Sequence, residues 1–187
     1  MKKKEKIEIL NLKELKSQHG GMNHFDIYVE KHYCHEYPEH THAYCEVELV
    51  EYGEGVCVID GKTLNVKQGD IIFTRSGAIH GWKNINGKIM HIITVAFDFK
   101  IFLGKFDLFD FDNIVVKGNS DIYRMFQLLL EERENNDEYT KRVQYNIVEC
   151  ILIYLTRKTG AIKDGKKETN IEYVLGYIHE NFMLNLT

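Results

Sequence analysis

The chain changes its hydrophobic period once, near residue 118, and that switch limits what it can fold into. From about Asp26 to Val116 the segments are short, rich in β-branched and aromatic residues, and broken by glycine. "GVCVIDGKTLNV" sets Asp60-Gly61 between two apolar runs, a strong short-range hairpin signal. "GDIIFTR" starts another strand after Gly69. In "KIMHIITVAFDF", Ile89, His91, Ile93, Val95, Phe97 and Phe99 share one face by period-two alternation. Short strands separated by turn signals predict an all-β sandwich or barrel.

After residue 118 the period is helical. Ser120 is read as an N-cap, followed by the apolar-dense helix "DIYRMFQLLLEERE". "NNDEY" breaks it. The next helix carries Val143, Ile147, Val148, Ile151, Leu152 and Leu155 at helical spacing, and Arg157, Lys158 and Gly160 mark its C-terminus. "GAIKDGKKE" reads as a linker. Thr169-Asn-Ile-Glu172 is a capping-box pattern, opening a third amphipathic segment with Ile171, Val174, Leu175, Ile178 and Phe182 on one stripe. A helix begun at that point predicts the edge of a further domain.

The 187 residues, 44% of them hydrophobic, suffice for one domain plus an accessory element. The formal net charge is −4 and only the first residues, with Lys2, Lys3 and Lys4, are strongly basic. This composition predicts little or no affinity of the segment itself for DNA. The start has no apolar core of signal-peptide type, and no apolar run approaches the roughly 20 residues of a spanning helix. The expected setting is cytoplasmic, without membrane contact. There Cys34, Cys45, Cys57 and Cys150, which form no Cys-x-x-Cys pair, are thiols.

"HTHAYCE" places His40, His42 and Glu46 at one parity, so an unbroken strand would aim all three at one face. A bulge inside "AYC" would spoil that count. Imidazole and carboxylate are usual ligands of first-row metals. His80, after a strand and a glycine-bearing turn, offers a fourth. Two readings fit these residues: a divalent metal (Zn, Ni, Fe or Mn), or a metal-free polar pocket that hydrogen-bonds an effector. Trp82 is a candidate to stack on a ligand or to cap the barrel mouth. His91, alone on an apolar face, is a candidate ligand-binding residue or a satisfied core histidine. Arg75 reads as a turn residue, and Cys45 points away from the cluster.

The spacing of these residues resembles the cupin family. Its first motif, His-x-His, then Glu, then six residues to Gly, is matched by His40, His42, Glu46 and Gly53. Its second is matched by Gly69, Gly77, His80 and Asn84. Cys34 and Arg75 stand where the motifs carry Gly and Pro, which bears on turns more than on ligands. The resemblance implies a double-stranded β-helix, or jelly-roll barrel, with His40, His42, Glu46 and His80 directed inward. A barrel, an α-helical hairpin, a linker and "YIHENFMLNLT" resemble a regulator of the AraC family. There the phrase carried here by Tyr177, Ile178, Glu180, Asn181, Leu186 and Thr187 opens a helix-turn-helix DNA-binding domain.

The implied organisation is an arm and sensor barrel over 1–118, a helical dimerisation segment over 119–160, a linker over 161–170, and over 171–187 the first helix of an absent DNA-binding domain. The implied function is sensing a small-molecule effector, a sugar or small organic acid, by a homodimer that binds DNA through the absent domain. The alternative is a metal-dependent cupin enzyme, a dioxygenase or isomerase, using the same four residues. Continuation of the reading frame past Thr187 separates the two.

Overall fold

In a computed structural model the chain is described over residues 27–159, apart from 35, 85–86, 88, 103–113 and 136. The basic arm, the linker and the segment 171–187 lie outside the described residues, as do the side chains of Cys34 and Asn84.

Among the described residues nine strands form two antiparallel sheets. They are β1 (Ile27–Cys34), β2 (Glu36–His40), β3 (Cys45–Tyr52), β4 (Glu54–Ile59), β5 (Lys62–Lys67), β6 (Asp70–Thr74), β7 (His80–Asn84), β8 (Met90–Phe97) and β9 (Ile114–Lys117). One sheet has the order β1-β8-β3-β6-β9, the other β2-β7-β4-β5. This is the expected jelly roll, and the helical hairpin follows it: α1 (Ser120–Arg133) and α2 (Thr140–Thr159).

Alternation along the strands divides the apolar residues between two cores. Cys45, Val47 and Leu49 of β3 and Ile93, Val95 and Phe97 of β8 face outward, where Ile122, Phe126 and Leu129 of α1 and Val148, Ile151, Leu152 and Leu155 of α2 cover them. Val50 of β3, Ile72 of β6 and Met90 and Ile92 of β8 face the other sheet, with Cys57, Ile59, Val66 and Trp82. Cys45 thus points away from the barrel interior, as its parity indicates.

Local chemistry accounts for the element boundaries. Asp60 (φ 47°) and Gly61 (φ 74°) both take left-handed backbone, as a two-residue hairpin between β4 and β5 requires. At the start of α1 the cap is Asn119 rather than Ser120. Asn119 is extended, and its Oδ1 accepts from the Ile122 amide at 3.0 Å, so the helix is capped one residue earlier than the sequence suggests. The strand expected to run to Phe99 ends at Phe97, and Phe99–Phe102 form a 3-10 turn. That turn drops Phe102 edge-on against Phe97 and stacks it on Tyr145 of α2. On α2, Val148, Ile151, Leu152 and Leu155 are buried as the stripe predicts, but Val143 is 36% exposed and the inward position in that turn goes to Gln144.

Candidate metal and ligand site

His40, His42 and Glu46 do not share one strand face. β2 ends at His40, residues 41–44 cross from one sheet to the other, and Glu46 is the second residue of β3. The crossing still brings them together, because His40 pairs with His80 on β7 while Glu46 reaches across the interior to the same histidine. Gly77 (φ 80°) turns the chain before β7, and its amide donates to the His42 carbonyl at 2.9 Å, which ties the two motifs together.

The ligating atoms of His40, His42 and His80 all lie within 4.8 Å of one another. Each imidazole is oriented from behind. Nδ1 faces the Pro38 carbonyl in His40 (3.1 Å), that of Tyr44 in His42 (2.9 Å) and that of Ala78 in His80 (3.2 Å). A carbonyl only accepts, so each Nδ1 carries the proton and each Nε2 is turned toward the others, as a lone pair in a neutral ring and as a donor to Glu46 when His80 is protonated. Glu46 Oε2 lies 3.1 Å from His80 Nε2 and 3.2 Å from His42 Nε2. The contact to His42 lacks hydrogen-bond geometry, leaving that buried Nε2 unsatisfied. Several acceptors thus converge where protonated imidazoles or a cation must balance them.

The electrostatics agree. Burial raises the Glu46 pKa, but the close His42 and His80 imidazoles, the latter hydrogen-bonded to it, outweigh burial and hold the carboxyl well below the usual range. Burial lowers His80, and Glu46 outweighs it in the opposite sense. Burial, then the charge of His80, pushes His40 down to about 4. The donor set is three nitrogens and one carboxylate, each ring held by a carbonyl through its other nitrogen. That set fits a first-row divalent ion.

The sheet register continues this polar patch inward. Tyr28, Ala96, Glu46 and Thr74 pair in one row across β1, β8, β3 and β6, and Glu30, Thr94, Glu48 and Ile72 in the next. Glu48 accepts from Thr94 Oγ1 at 3.1 Å and from Trp82. Burial, then the nearby Glu46 charge, pushes it up to about 8. Tyr28 donates to Glu30 at 2.6 Å. Tyr44 stacks on His42 with ring centroids 3.8 Å apart, and Tyr37 meets His40 edge-on at 4.7 Å. Sequence reasoning missed Glu30, Glu48, Thr74 and Thr94. Their signal was available: in "EVELVE" Glu48 has the parity of Glu46, and in "IYVEKHYC" Tyr28, Glu30 and His32 alternate with Ile27, Val29 and Lys31.

Of the two other expected ligand-binding residues, Trp82 lies in the barrel interior and His91 lies outside it. Trp82 is only 3% exposed and packs in the interior, so it does not cap an open mouth. His91 is not brought to the cluster. Its neighbours Met90 and Ile92 take the inward positions of β8, which sends His91 to the outer side, against Tyr33, Tyr52 and Glu51.

Residues 30–96 match the family model described as cupin domain. The HTH-type transcriptional activator RhaR of Cronobacter sakazakii is 32% identical over 57 residues, which are 30% of this chain and 20% of that protein. RhaR of Klebsiella pneumoniae is 30% identical over 57 residues, with the same coverage of 30% and 20%. The matched segment thus spans about a fifth of these relatives' length. Apo ToxT from Vibrio cholerae superposes with a TM-score of 0.54 at 8% identity, covering 86% of this chain and 67% of that one; this likeness concerns the fold. Residues 30–96 are thus similar to a cupin domain, and part of the chain is similar to a stretch of these transcriptional activators.

Proposed function

We propose that the chain is the effector-sensing and dimerisation region of a cytoplasmic AraC-type transcription regulator. Its barrel binds a small molecule at a divalent metal (Zn, Ni, Fe or Mn) and thereby controls DNA binding by a C-terminal domain. The observation that carries the reading is the convergence of three carbonyl-oriented imidazoles on the buried Glu46. His40, His42, Glu46 and His80 would hold the ion, which as a Lewis acid supplies affinity for an oxygen of the effector. Resemblance to transcription activators supports a sensor rather than a catalyst. Tyr123, Leu128, Tyr139 and Val143, each 36% exposed or more along the helical hairpin, support a homodimer contact there. Among the described residues no helix is long and apolar enough to cross a membrane.

Elemental analysis of protein purified without chelator tests the metal. One ion per chain is expected, lost in His42→Ala and in His80→Ala while the circular dichroism spectrum is retained. Metal-free wild-type protein, with no uptake from added Zn, Ni, Fe or Mn, refutes the metal reading.

A further inference from the structure

Where the barrel meets the hairpin, a cleft of about 440 Å³ opens between the start of β1, the 3-10 turn and the first turns of α2. Its apolar lining, Ile27, Ile101 and Tyr145, packs against the helix-side core, so the cleft lies outside the barrel and apart from the histidine cluster. Its polar lining is Lys100, Lys141, Arg142 and Gln144, with no carboxylate. Gln144 is only 7% exposed, in an inward position of α2, and makes no hydrogen bond to another described residue. A buried amide is nearly always paired, by protein, water or ligand. Lys141 and Arg142 stand in the first turn of α2, which holds no acidic residue, at the end of the helix dipole that disfavours cations and favours anions. The carboxylates nearest in sequence are engaged elsewhere. Asp98 accepts from the Lys100 amide at 2.9 Å, and Asp137 from the amides of Tyr139 and Thr140 at 2.8 and 3.0 Å.

We propose that this cleft is a binding site, separate from the barrel interior, for a small organic phosphate, a phosphate monoester on a short apolar or aromatic body. Charge sets the sign of the ligand: Lys100, Lys141 and Arg142 come from two elements and converge on one cleft without a lining acid. One carboxylate would balance only part of that charge. A phosphate monoester carries nearly two negative charges at neutral pH and three strongly accepting oxygens. The Arg142 guanidinium can take two of those oxygens through its planar fork, and the lysines act as point charges. The Gln144 amide donates to a further oxygen and so gains the partner it lacks within the fold. Ile27, Ile101 and Tyr145 give the rest of the molecule an apolar surface, which a bare phosphate ion would leave unused. A ligand held here touches both the barrel, through Ile27 and the 3-10 turn, and the hairpin, through α2. The site is independent of the metal and effector reading above.

Calorimetric titration of the purified chain at low salt tests this, with phenyl phosphate and butyl phosphate as probes and inorganic phosphate, benzoate and phthalate as comparisons. At least one monoester is expected to bind once per chain, more tightly than any of the comparison ions, more weakly as sodium chloride is raised, and unchanged after treatment with chelator. Lys100→Gln and Arg142→Gln, at exposed positions, should each weaken it about tenfold. Gln144→Leu continues the apolar stripe of α2, so it should keep or raise Tm and still weaken binding about threefold; a residue that serves packing alone would leave binding unchanged. Lys62→Gln, at an exposed lysine of β5 outside the cleft, should have no effect. No binding of either monoester at millimolar concentration overturns the assignment. So does tighter binding of inorganic phosphate or of the carboxylates, binding indifferent to Arg142→Gln and Gln144→Leu, an equal loss in Lys62→Gln, or loss on chelator treatment.

Discussion

Gly81 offers the sharpest test of how the fold sets the cluster. It lies in β7 between His80 and Trp82, opposite the point where the β2 register shifts between Tyr37 and His40. A Cβ built at Gly81 would lie 2.8 Å from the Tyr37 oxygen, 2.9 Å from the Glu39 nitrogen and 3.0 Å from the Glu39 Cα. All three are backbone atoms, so no side chain can swing aside. Ordinary contact begins near 3.4 Å, so Gly81→Ala must drive β2 back by roughly 0.6 Å. β2 is an edge strand and can retreat, at a cost of about 1–3 kcal/mol typical of overpacking. For a chain of this size that lowers Tm by about 2–12 °C. His40 moves with β2, while His42, Glu46 and His80 stand on other segments, so the substitution pulls the set apart. Metal affinity should fall about 10–100-fold, as when the groups that orient ligands are disturbed. Gly118→Ala is the control. Its Cβ would meet Ile122 at 2.9 Å and the Gly69 oxygen at 3.0 Å, at the junction of β9 and α1, away from the histidines. Thermal melts and titration against a chelating dye distinguish the two variants. Wild-type metal affinity in Gly81→Ala, or an equal loss in Gly118→Ala, refutes this account of how His40 is placed.

Phe126 of α1 is fully buried between the hairpin and the sheet. Phe126→Ala should therefore lose about 3–5 kcal/mol in urea unfolding, and a loss under about 1 kcal/mol would contradict helix docking on that face. Cys150 is exposed, whereas Cys45 and Cys57 are buried, and burial pushes the Cys45 thiol up to about 11. In a Cys34→Ser background a thiol reagent at pH 8 should label one cysteine quickly and the other two only on unfolding; fast labelling of more than one would argue against the packing of β3 and β4. In metal-free protein His40 titrates at about 4 against an ordinary value of 6.5. Between those values the unfolded chain binds a proton that the folded chain does not, so stability falls as pH drops from 6.5 to about 4. His40→Asn should flatten this acid limb in urea unfolding at stepped pH. An unchanged limb would show that His40 is not held neutral.

The fold was largely legible because alternation and turn chemistry act locally. Asp60-Gly61, the start of β6 and the helical stripe Val148, Ile151, Leu152 and Leu155 follow from neighbours in sequence. The convergence of His40, His42, Glu46 and His80 was legible only through motif spacing. Period-two parity on one strand implied it for a reason that does not hold, since the chain crosses between sheets at residues 41–44. His91 shows the opposite failure. Its parity was assigned correctly, with Ile93 and Val95, but which side of β8 faces the interior depends on where the helices dock. Glu48 was missed because alternation was applied to apolar residues and not to the acidic ones that interleave them.

Strand β3 connects the two sides of the five-stranded sheet. Glu46 and Glu48 point to the cluster and its polar extension, and the residues between and after them, Val47 and Leu49, pack under the helices with Phe126 and Leu152. Just beyond, Glu51 accepts a hydrogen bond from Gln127 of α1 at 3.1 Å. Close packing on the helix side leaves little slack, so a displacement of β3 by a fraction of an ångström is passed to the hairpin rather than absorbed. The strand that carries the buried carboxylates is thus, with β1, one of those on which α1 rests. A ligand drawing on Glu46 or Glu48 acts one residue away from the helix contacts, and it shifts the hairpin only to the extent that it binds one arrangement of β3 more tightly than another.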